Sequence, residues 1–205
     1  MVQKRELLGD ILAFYADLYQ EPDEVLDAYL RESRFQDDLA ASIEAFTPMD
    51  VDVEIPEGLV ELKKMYDELF VSTDTVAVPL AESFYKPWTM DQEIELPFAH
   101  SKGYLSGDSA WHMKEILARL LISSPDELNA SPDHLSVILQ VAASLAEHHE
   151  LFDTFARSHL DWLDDLLERM MELQSDSFYI QMTKLLRELI RSVLHDNDVK
   201  EATTC

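Results

Sequence analysis

Between Pro132 and His149 the chain is apolar on almost every side of a helix. Inside its polar ends, from Leu135 to Ala146, only Ser136, Gln140 and Ser144 interrupt it, and at four-residue spacing they form one narrow polar stripe. That stripe projects onto Asp133 at one end and His148 at the other. A helix with so little polar edge cannot sit at a surface. The pattern predicts a central helix over 132–149, wrapped by other elements.

The rest of the chain is suited to wrapping it. Leu7, Leu8, Ile11, Tyr15, Leu18 and Tyr19 recur at helical spacing and predict a helix over 3–20. Pro22, followed by Asp23 and Glu24, marks a second helix start that runs to about Leu30. Further helices are predicted over 33–46 and 59–70, the latter with Leu59, Leu62, Tyr66, Leu69 and Phe70 as its stripe. The intervening 47–58, with two prolines and alternating acids, is predicted as loop. After residue 107 helices are predicted over 108–122, 150–158, 159–173 and 177–195. The second of these four leads into the third. Over 108–122 the expected buried face is Ala110, Met113, Leu117, Leu120 and Leu121. Only four glycines and few Val/Ile/Thr runs argue against sheet. The expectation is a single all-α domain over 1–195, a bundle of about ten helices, followed by a flexible polar tail over 196–205.

One stretch breaks the helical pattern. Residues 72–105 hold Pro79, Pro87, Pro97 and Gly103, with Phe84, Tyr85, Trp88, Phe98 and Tyr104 among them. Disordered segments are poor in aromatics, and connections this long in compact domains are commonly functional. The stretch is therefore expected to be ordered and to bind something. In "AESFYKPWTMD" (81–91) the anions Glu82 and Asp91 flank apolar rings, a mixture suited to an apolar peptide with basic residues. The same aromatics could equally pin the connection to the bundle.

Charge narrows the partners. A net charge of −25 makes nucleic acid and anionic membrane surfaces poor partners and steers cationic ones toward the chain. The lone cysteine, Cys205, allows no disulfide within the chain and no thiolate metal cluster. Charged residues interrupt the first twenty positions, so no signal peptide or membrane anchor is predicted, and a cytoplasmic location is expected.

"SPDHL" (131–135) sets an aspartate beside a histidine. Ser131 suits an N-cap and Pro132 the first helical position. Adjacent residues on a helix point about 100° apart, so Asp133 and His134 make a poor catalytic dyad. His148, His149 and Asp153 show neither HExxH nor a paired Cys-His pattern, and no metal site is expected. "SKGYLSGD" lacks the spacing of a phosphate loop. A binding corner at the helix start is the more reasonable chemistry. Two alternatives remain: a helical metal-dependent hydrolase using His134 or His149 with nearby carboxylates, and a generic acidic adaptor for peptides.

Four segments resemble, in order, the TorD/DmsD/NarJ family of cytoplasmic chaperones for molybdenum-cofactor oxidoreductases. They are "YQEPDEVLDAYL" (19–30), "YDELF" (66–70) with "VPLAESFY" (78–85), "SPDHLSVIL" (131–139) and "FARSHLDWLDDLLERM" (155–170). Ile138 and Gln140 stand where the family often carries glutamates. The resemblance implies a non-enzymatic protein without a cofactor of its own. Such a protein binds the twin-arginine signal peptide or the apo catalytic subunit of its client. It holds that client until the molybdopterin guanine dinucleotide cofactor is inserted, then releases it for assembly or export. It also implies a client-binding groove of Asp133 and His134 facing Glu82, Ser83, Tyr85 and Trp88. In that groove Asp133 would meet a guanidinium, and Tyr85 and Trp88 would line the apolar part. Both a monomer and a domain-swapped dimer are compatible with the resemblance.

Overall fold

The structure is a computed structural model that describes residues 2–71, 77–120, 131–173 and 177–204. Residues 72–76 of the predicted connection and 121–122 of a predicted helix lie outside these. The chain is all-α, with ten α-helices and no strand among the described residues. They are α1 (Val2–Leu18), α2 (Glu24–Leu30), α3 (Phe35–Glu44), α4 (Leu59–Tyr66), α5 (Glu82–Tyr85), α6 (Asp108–Leu120), α7 (Leu135–Leu145), α8 (His149–His159), α9 (Leu163–Leu173) and α10 (Phe178–Thr204).

The apolar helix is central, as its pattern demands. Leu135, Val137, Ile138, Leu139, Val141 and Ala142 of α7 are all buried. α1 packs along it, with Gly9 facing the C-terminal end of α7. A Cβ at Gly9 would lie 3.4 Å from the Ala143 carbonyl and 3.6 Å from the Ala146 Cβ, ordinary contact distances that leave room for little beyond a methyl group. α10 closes the other side against α4, α8 and α9. There the Tyr19 hydroxyl meets Thr183 Oγ1 at 2.7 Å, and Thr183 Oγ1 donates to the Tyr179 carbonyl at 2.6 Å.

Several boundaries differ from the sequence expectation for identifiable reasons. Asp23, not Pro22, caps α2, its Oδ1 accepting from the Leu26 N–H at 2.8 Å. α4 ends at Tyr66 and continues as a single π-turn, Asp67–Val71. The Leu69 carbonyl in that turn accepts from the Val78 N–H at 2.7 Å, where the chain returns to the bundle. Leu120 was expected inside but is exposed, at the end of α6. α10 runs past residue 195 to Thr204, so 196–204 continues the helix. The start of α7 changes most. Ser131 and Pro132 do not open the helix; the Ser131 carbonyl accepts from the His134 N–H at 3.0 Å, closing a turn. His134 is the N-cap, three residues beyond Ser131, with extended φ −65° and ψ 140°.

The connection is ordered by its own backbone bonds. Trp88 N–H donates to the Ser101 carbonyl at 3.1 Å, Thr89 N–H to Ala99 at 2.8 Å, Gly103 N–H to Phe84 at 2.7 Å and Asp108 N–H to Trp88 at 2.8 Å. Asp108 then seals the fold-back, its Oδ2 accepting from the Thr89 hydroxyl and the Met90 N–H, both at 2.9 Å. The result is a lobe over 86–107 held against α5 and α6.

Candidate functional site

Glu82, Ser83, Asp133 and His134 do come together, through the backbone first. Leu135 N–H donates to the Leu80 carbonyl at 2.8 Å and Glu82 N–H to the Asp133 carbonyl at 3.0 Å, an antiparallel bridge of Ala81 with His134. This joins the one-turn helix α5 to the start of α7. Asp133 reinforces the joint from its side chain: Oδ2 accepts from the Ser83 N–H at 2.8 Å and Oδ1 from the Ser131 hydroxyl at 3.4 Å. It thus satisfies an orphan donor in the first turn of α5. The accessible anion expected at Asp133 is absent, because the residue is 2% exposed and both oxygens are engaged within the chain.

His134 is used in the same way. Its Nδ1 accepts from the Ser136 N–H at 3.3 Å and faces the Ser136 hydroxyl at 2.8 Å, which places the ring proton on Nε2. Burial lowers its pKa to about 4, although the Asp133 charge works in the opposite direction. The ring is neutral at physiological pH.

Glu82 is fully buried and both of its oxygens are met. Its Oε1 pairs with Lys86 Nζ at 2.7 Å, and its Oε2 bonds His159 Nδ1 at 2.7 Å. Lys86 goes on to Asp161 Oδ1 at 2.7 Å and to the Ser158 carbonyl at 2.5 Å. His159 Nε2 meets His112 Nδ1 at 2.9 Å, and His112 stands at the surface on α6. A carboxylate, two imidazoles and an ammonium therefore tie α5, α6 and α8 into one knot. Tyr85 closes it, stacking on Trp162 with centroids 5.0 Å apart and planes 17° from parallel. The Trp162 indole N–H donates to the His159 carbonyl at 2.8 Å. Burial raises the Tyr85 hydroxyl well above its ordinary value. Sequence reasoning passed over Lys86, His112, Asp161 and His159. The signal available was Glu82 itself, since a carboxylate in an apolar stretch needs a cation or donors nearby.

Trp88 is placed differently. It is half-buried in the lobe, edge-on to Phe98 at 5.4 Å, and Phe98 packs on Tyr104 at 5.0 Å. Gly107 lies directly beneath: a Cβ there would come to 3.0 Å from the Trp88 Cα and closer still to its carbonyl oxygen. Of the six residues expected to line a groove, Glu82, Ser83, Tyr85 and Asp133 are thus interior. His134 and Trp88 keep part of their surface. Among the described residues no group of three or more His, Cys, Asp or Glu side chains is gathered to hold a metal ion.

The chain belongs to the nitrate reductase delta subunit family, whose model matches residues 32–179. It is 23% identical over 185 residues to the "Probable Tat proofreading chaperone DmsD" of Haemophilus influenzae, covering 87% of this chain and 84% of the relative. Its fold is similar to the crystal structure of an Archaeoglobus fulgidus protein described as a redox enzyme maturation protein. That match has a TM-score of 0.52 at 18% identity and covers 89% of this chain and 93% of the other. The family is one of redox enzyme maturation chaperones, and the chain is not an enzyme. Among the described residues no helix is long and apolar enough to cross a membrane.

Proposed function

We propose that this chaperone binds the twin-arginine signal peptide of a molybdenum-cofactor oxidoreductase, or another part of its apo catalytic subunit. It holds that client in the cytoplasm until the cofactor is inserted. The observation that supports this reading is the surface of the lobe. Met90, Leu96 and Leu105 are 68%, 46% and 56% exposed, beside the half-buried Trp88. Between Lys86 and Lys102 the only charged side chains are Asp91, Glu93 and Glu95, all exposed. Exposed apolar groups amid uncompensated carboxylates suit a segment that is both basic and apolar.

In this reading Trp88 and His134 contact the client, while Glu82, Ser83, Tyr85 and Asp133 fix the lobe's position. The test is a titration of the full chain with a twin-arginine leader peptide and with its Arg→Ala counterpart. Trp88→Ala is expected to weaken binding about tenfold. The combined Asp91→Asn, Glu93→Gln, Glu95→Gln variant should weaken it and flatten its salt dependence. Equal affinity for the two peptides would point to a generic acidic adaptor and overturn the proposal.

A further inference from the structure

We propose a second docking groove, between α1 and α2, for a partner segment that carries an arginine beside a large apolar side chain. The guanidinium would sit between Asp17 and Asp23, with the apolar group on Phe14, Leu26 and Tyr29. None of these residues belongs to the lobe or to the knot beneath it, so the inference goes beyond leader binding and does not rest on it.

The groove has about 440 Å³ of free volume, within the range of sites that hold small ligands or side chains. Its floor is preformed. Phe14 packs on Tyr29 at 5.5 Å and on Phe35 at 5.7 Å, and Tyr29 meets Phe35 edge-on at 5.5 Å. Tyr29 and Val25 nonetheless remain 45% and 75% exposed. They are apolar surface that no element of the described chain covers.

The charge at its mouth is one-sided. Asp17, Glu21 and Asp23 line the groove together with Gln20, and no Lys or Arg does. Glu21 is already paired with Lys63 at 3.5 Å, both exposed, which leaves Asp17 and Asp23 as the carboxylates for the guanidinium. Asp23 uses Oδ1 for the α2 cap, and Asp17 has a weak bond from Gln20 at 3.4 Å. Partial burial, and then the charge of Asp23, raise the Asp17 carboxyl above its ordinary value, so these two anions already disfavour each other. A cation between them would relieve that repulsion. Arginine fits better than lysine, because its planar fork can bond two carboxylates while its face lies on Tyr29.

The test is an amide chemical-shift titration of the ¹⁵N-labelled full chain with acetyl-Phe-Arg-Leu-amide and with acetyl-Phe-Gln-Leu-amide. Saturable shifts over residues 14–29 are expected with the arginine peptide, with binding at least about fivefold weaker for the glutamine peptide. Asp17→Asn combined with Asp23→Asn should lose that preference, and asparagine at 23 still caps α2. Tyr29→Ser should weaken both peptides. Shifts over 88–105 with none over 14–29 would overturn the groove and leave the leader reading standing. Equal shifts with both peptides, or self-association of the chain abolished by Tyr29→Ser, would also overturn it.

Discussion

Glu82 has no exposed surface, and Lys86 Nζ and His159 Nδ1 each meet one of its oxygens at 2.7 Å. Glu82→Ala would remove the one group that meets both Lys86 and His159, leaving the ammonium with Asp161 and the imidazole with His112. Losing one buried acceptor from such a network costs roughly 1–3 kcal/mol, which a urea titration would register. A loss within experimental error would show that the knot does not hold the lobe. His134 makes a prediction in pH. Its folded pKa, about 4, lies below the ordinary 6.5, so between those values the unfolded chain binds a proton that the folded chain refuses. Its contribution is therefore complete above about pH 6.5 and is lost as pH falls toward 4. The loss is roughly 1–3 kcal/mol once the ring's partial exposure is allowed for. His134→Asn keeps a capping acceptor without titrating, and it should flatten that part of the stability–pH curve. An unchanged slope would mean that other groups produce it. "PDHL" was legible in sequence as a corner, but its exposure was not. An aspartate just before a helix has the same sequence signature whether it faces water or the N–H groups of another helix, and here it faces Ser83.

Elements were legible where one face is apolar and obscure where a tertiary bond sets the end. α9 and α10 each bury one stripe at helical spacing, Leu163, Leu166, Leu167 and Met170 in one, Phe178, Met182, Leu185, Leu189 and Val193 in the other. The π-turn after α4 is bonded by Val78, nine residues beyond Leu69, and the start of α7 by Leu80, 55 residues before Leu135. The lobe is the element where local and distant requirements meet. Gly103 has φ +93°, a left-handed conformation that glycine adopts without strain. Gly107 is needed for a different reason, the backbone of Trp88 beneath it. Gly107→Ala must lift the Trp88 segment off the start of α6, disturbing the Asp108 N–H bond to the Trp88 carbonyl. About 1–3 kcal/mol of stability should go with it. If the lobe binds the client, leader affinity should fall as well. Retained affinity in a destabilised Gly107→Ala protein would place the client elsewhere.

At the scale of the molecule the net charge of −25 acts on folding and on binding with opposite signs. The ion pairs toward the C-terminal helices, such as Arg187 and Arg191 with Asp164, neutralise only part of the acid. With 41 Asp and Glu against 16 Lys and Arg, the surplus carboxylates must repel one another in the compact state. Raising salt from about 0.01 M to about 0.15 M shortens the screening length from roughly 30 Å to 8 Å. The folded chain should therefore melt at a higher temperature in the higher salt. Over the same interval its affinity for an arginine-bearing peptide should fall, because attraction is screened as well as repulsion. The charge-neutralised lobe variant separates the two effects. It removes three carboxylates of the surplus, so most of the gain in melting temperature should survive, while the salt dependence of leader binding should shrink. If stability and affinity instead rose together with salt, apolar burial and not charge would be the force that holds the client.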